Sequence, residues 1–118
     1  EVMSTSPIFS DTVFFKPAAL TSAGTTSTFV VADSDDFSGQ NYTFQTTVSS
    51  IGTNVVVRYE GSLDGTNFWN LNSSGDTTIT TNTTVAFVVS NTPLYAVRCR
   101  LVSISTGTPS VTFVVAAK

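Results

Sequence analysis

The chain has 118 residues, enough for one domain with its own core. Only 11% are charged against 41% hydrophobic, and a net charge of −3 with five Lys and Arg in all lacks the basic stripe that nucleic-acid binding requires. With no His, the chain has neither the usual general base nor any Ser-His or Cys-His nucleophile, and the lone Cys99 permits no internal disulfide.

No apolar run approaches the ~20 residues of a membrane helix. The opening Glu1-Val2-Met3-Ser4 has neither a basic start nor an apolar stretch, so no signal peptide is expected. Thr and Val are abundant, and branching at Cβ favours the pleated backbone over the helix. Residues 1–25, with Pro7 and Pro17, read as an extended arm carrying one short strand near 11–15. Residues 28–32 form the next strand, followed by the loop Asp33-Ser34-Asp35-Asp36.

From residue 41 the alternation becomes regular. Tyr42, Phe44, Thr46 and Val48 share one face of a strand; Val55, Val57 and Tyr59 share one face of the next. Asp64-Gly65 between apolar runs is a strong hairpin signal, because Gly takes positive φ without steric cost. The Thr-rich stretch 76–84 reads as an exposed hairpin with Asn82 near its tip. Residues 94–104 are expected to form the longest strand, turned by Thr106-Gly107-Thr108-Pro109 into 111–116. About eight or nine strands at roughly 8–12-residue spacing predict an all-β antiparallel sandwich, jelly-roll-like or immunoglobulin-like. The domain is placed at 26–118, behind the arm of 1–25.

Few residues could carry chemistry. Alternation puts Cys99 on an inward face with Val97 and Leu101, away from the flanking arginines, so it reads as a buried small hydrophobe. Asp33-Ser34-Asp35-Asp36 is the best candidate for Ca²⁺, but it lacks the EF-hand spacing and its late bidentate Glu. No metal site and no cofactor are assigned. Glu60 and Asp64 are the one carboxylate pair suggestive of glycoside hydrolysis, and Asp64 is better explained as a turn former. No enzymatic activity is expected.

Arg58, Glu60, Arg98 and Arg100 lie on the polar sides of two long strands. If those strands pair, the four make a cross-strand charge ladder, either a solvated ion cluster or a subunit contact. Three of five cations on one sheet face favour the contact. Of Phe68 and Trp69, one should be inward and the other exposed; an exposed Trp69 could stack on a sugar ring.

The segment Val56-Val57-Arg58-Tyr59-Glu60-Gly61-Ser62-Leu63-Asp64-Gly65-Thr66-Asn67-Phe68-Trp69, the later Tyr95-Ala96-Val97-Arg98-Cys99-Arg100-Leu101 and the closing Gly107-Thr108-Pro109-Ser110-Val111-Thr112 resemble the small β-sandwich proteins of tailed-bacteriophage virions. These include head decoration or cement proteins, head fibres and tail accessory domains; the resemblance spans roughly residues 41–117. It implies a structural role on the capsid surface, most naturally capsid decoration. The implied partners are the major capsid protein or other virion proteins, and further copies of the chain, with a trimer as the expected oligomer. Arg58, Glu60, Arg98 and Arg100 are the expected contacts, and Phe14 and Phe15 the expected anchors of the arm. The alternative is a carbohydrate- or receptor-binding module, in a tail fibre or secreted, that uses Trp69.

Overall fold

The computed structural model describes residues 12–31 and 40–118. Among them there are ten strands and no α-helix. A four-stranded antiparallel sheet has the order β1 (Val13–Phe15), β10 (Gly107–Ala117), β4 (Tyr42–Ile51), β8 (Thr83–Val89). In the other sheet β9 (Ala96–Ile104) and β5 (Val55–Ser62) are central. The short strands β2 (Gly24–Thr25) and β3 (Phe29–Val30) flank β9. On the far side β6 (Trp69–Asn70) and β7 (Thr77–Ile79) flank β5.

Counting β2 with β3, and β6 with β7, as interrupted single strands leaves eight. The chain then changes sheet at every step except from β5 to the β6–β7 strand. That alternation, with the first and last of the described strands adjacent in one sheet, is jelly-roll connectivity and decides between the two expected topologies.

Period-two patterning positions the core. Tyr42, Phe44, Thr46 and Val48 from β4 and Val111, Phe113, Val115 and Ala117 from β10 are buried. They face Val55, Val57 and Tyr59 from β5 and Val97, Cys99 and Leu101 from β9. Each large side chain so buried contributes about 1.5–3 kcal/mol. The Tyr59 ring stacks on Phe87 at 5.2 Å and meets the Phe113 edge at 6.4 Å. Its hydroxyl and Thr46 Oγ1, 2.6 Å apart, hydrogen-bond from one sheet to the other, which explains a hydroxyl inside this core.

The described part of the segment read as an arm lies along one edge of the sandwich. β1 pairs with β10, Leu20 exchanges backbone hydrogen bonds of 2.8 and 2.9 Å with Val111, and β2 pairs with β9. Phe15 turns inward and stacks on Phe29 at 5.2 Å, while Phe14 points outward and is exposed.

Three local expectations need correction. Residues 76–84 are not a hairpin: β7 pairs with β5 and β8 with β4, so the chain crosses between sheets there. Asn82 ties the crossing down by accepting a 2.9 Å hydrogen bond from the Ile51 amide. The turn after β5 is wider than two residues, since Gly61 faces Trp69 and Glu60 faces Asn70. Finally, β10 rather than β9 is longest, because Pro109 is absorbed inside it at a register irregularity between Gly107 and Ser110. A bulge is where a strand tolerates proline's missing donor.

Candidate protein interface

The loop between β5 and β6 sets the geometry of the outer face of the six-stranded sheet. Asp64 accepts hydrogen bonds from the Thr66 and Asn67 amides (both 2.8 Å), Asn67 Nδ2 (2.7 Å) and Ser62 Oγ (2.9 Å). These donors, the Asn67 amide foremost, hold its carboxyl well below its ordinary value of 3.8. Gly65 sits at φ +80, the left-handed region that favours glycine, with the Tyr95 ring packed where a Cβ would be. The loop returns the chain so that Phe68 and Asn70 lie on the same face as Glu60.

Register then gathers the charges. β5 and β9 pair with Glu60 opposite Arg98 and Arg58 opposite Arg100. Directly opposed arginines would repel without a shared anion. Glu60, only 4% exposed, supplies it. Arg98 Nε donates to Glu60 Oε1 at 2.6 Å, and Arg58 and Arg100 approach Oε2 at 3.6 and 3.5 Å. Arg58 also makes a two-point contact with Asp76, at 2.7 Å from Nε and 3.1 Å from Nη2, and Asn70 Nδ2 donates to the same carboxylate at 3.0 Å. The hydrogen bonds from Arg58 lower the Asp76 carboxyl and raise the Arg58 guanidinium. The Arg98 guanidinium carbon rests 3.9 Å from the Phe68 ring centroid, a cation–π contact.

All four residues expected at a contact therefore meet. Asp76, Phe68 and Asn70 join them and were not anticipated. Asp76 lies in a Ser/Gly loop with no periodicity to mark it, and its only sequence signal is being a carboxylate near a surplus of arginines. Among the described residues, three guanidiniums against two carboxylates leave this cluster one positive charge in excess, on a chain that is −3 overall. Arg100 is the least satisfied, its Nε having no hydrogen bond among the described residues.

The other candidates fall elsewhere. Phe14 is on the outer face of the four-stranded sheet, far from Arg58 in the fold's layering. Trp69 is exposed and opposite Gly61, so it points to the other side of its sheet from Phe68. Cys99 is fully buried, and burial drives its thiol far up, leaving it inert. Asp64 serves the loop and Glu60 the arginines, so the pair does not face a common space. Asp33-Ser34-Asp35-Asp36 lies outside the described residues.

No protein-family model and no curated protein sequence matches the chain. Among solved structures it is similar to the SPBc2 prophage-derived protein YomS, with a TM-score of 0.59 and 18% identity over 90% of this chain and 93% of that one. A subunit of Bacillus endospore appendages, disulfide-linked pili, aligns with a TM-score of 0.46 and 15% identity over 91% of this chain and 83% of that one. At these identities the first likeness concerns the fold alone.

Proposed function

We propose that the chain is a structural virion protein of a tailed phage, decorating the capsid surface through contacts with the major capsid protein and with further copies of itself. Its role is architectural, not catalytic. The observation that carries this reading is the guanidinium–carboxylate face. A buried Glu60 holds three arginines together on the outer face of the six-stranded sheet, and Arg is the cation suited to specific, bidentate interface contacts. The jelly-roll connectivity is one that capsid proteins use, and the similar fold of a prophage-derived protein agrees with it. Co-sedimentation with particles lacking this protein tests the proposal. Wild type should bind, and Arg100→Glu, which reverses the excess charge at a half-exposed position, should weaken binding about tenfold. Equal binding of the variant would count against the arginine face.

One observation favours a second reading. Trp69, Leu63 and Tyr95 are all exposed around the β5–β6 loop. Aromatic rings beside polar loops can stack on sugars, as a carbohydrate-binding module does. Glycan-array binding that disappears on Trp69→Ala would support that reading over capsid decoration.

A further inference from the structure

The free edge of β8 differs from the other sheet edges. β1 has three residues and stops before Pro17; β2, β3 and β6 have two each, and β7 has three. Short edges of this kind are protected against pairing with other chains. β8 runs seven residues, in unbroken register with β4 from Thr83 to Val89. It contains no charge and no proline, and Val88 is 61% exposed. Among the described residues none pairs with the outer side of its backbone. The rows of outward side chains leading to it across the sheet, Phe14–Ala116–Thr43–Val88 and Thr112–Thr47–Thr84, are also uncharged.

We infer that β8 is a self-pairing seam, at which a second copy of the chain adds its own β8 antiparallel about a two-fold axis through Ala86. This rests on the assembly role proposed above and names one contact between copies. A neutral edge is filled best by a neutral strand, and β8 is one; two copies meet there without opposing like charges although each chain is −3. Directly opposed residues in a continuous sheet point to the same face, which restricts the registers available. Centring on Ala86 pairs all seven residues. It sets Val85 beside Phe87 of the second copy, a favourable aromatic and β-branched pair, and Thr84 beside Val88. The result is one eight-stranded sheet whose seam is flanked on both sides by uncharged side chains, separate from the arginine face on the opposite layer.

Position-specific cross-linking of the full chain tests this register. Ala86→Cys should form an oxidised dimer in several-fold higher yield than Thr84→Cys. Opposed Cα atoms stand about 5 Å apart, whereas two copies of position 84 are offset by about 13 Å. Thr84→Cys mixed with Val88→Cys should link, and the buried Cys99 does not compete. Ala86→Glu, at an exposed position, should weaken self-association in sedimentation about fivefold or more, and mixing it with Ala86→Lys should restore it. Equal cross-linking at 84 and 86, or unchanged association of Ala86→Glu, overturns the seam; if that variant's chain still binds particles, the assembly role stands. A wild-type chain that neither self-associates nor binds particles overturns both.

Discussion

Replacing Glu60 with Gln keeps the side-chain volume and removes the one charge that three arginines share. Breaking a fully buried ion pair by removing one partner costs about 3–5 kcal/mol. An ordinary exposed pair is worth about 0.2–1 kcal/mol. Here the carboxylate is buried, but the Arg98, Arg58 and Arg100 side chains keep 24%, 32% and 39% of their exposure, so water screens what is left behind. An intermediate loss of about 2 kcal/mol follows, larger than for any single surface pair because three cations lose the same partner. For a domain of this size that lowers Tm by about 8 °C. Urea denaturation should show a lower midpoint with an unchanged slope, since the surface exposed on unfolding is the same. Adding Arg98→Met to the variant should cost less than in wild type, because the guanidinium that lost its carboxylate is removed. A loss below about 0.5 kcal/mol, with additive double variants, would refute the claim that Glu60 organises this face.

Three other outcomes follow from packing and charge. Tyr59→Phe should cost about 1–2 kcal/mol by leaving the buried Thr46 hydroxyl unpaired, whereas adding Thr46→Val should recover much of it, read from chemical denaturation. Gly52→Ala should destabilise markedly or prevent folding, because a Cβ there would run into the Thr106 carbonyl oxygen and Oγ1; thermal melting compares it with Gly75→Ala, whose Cβ meets no neighbour but whose φ of +103 is unfavourable. Asp64 and Asp76 both ionise more readily in the folded chain than in the unfolded one. The stability they supply is complete above their ordinary carboxyl values and drains away as pH falls towards the folded ones. Melting between about pH 5 and pH 2 should therefore fall less steeply for Asp64→Asn than for wild type.

Much of this was legible in the chain because a strand with one buried face must alternate. Tyr42, Phe44, Thr46 and Val48 announce β4, and Val55, Val57 and Tyr59 announce β5. Alternation also put Arg58 and Glu60 opposite the core, and one step of strand pairing brought Arg98 and Arg100 to them. What alternation does not encode is which sheet a strand joins. The Thr-rich stretch therefore looked like a hairpin, although its halves pair with β5 and β4 in different layers. The width of the turn after β5 was hidden for a different reason. Ser62 and Asp64 use side chains to satisfy backbone amides, which lets a longer loop do the work that Asp-Gly would do in two residues. Asp76 was invisible because its partner is fixed by tertiary contact alone.

The position of β10 bears on how the molecule is made. It is the latest of the ten strands to be synthesised, yet it lies between β1 and β4 and supplies Val111, Phe113 and Val115 to the interior. Until it leaves the ribosome, neither neighbour has its partner and the apolar layer stays open to solvent. Joining strands so far apart in the chain also carries a large loop-closure cost, which makes folding slow, in the millisecond-to-second range of β-rich topologies. Nascent chains thus spend that interval with β4 exposed along one side, the side that β10 later covers.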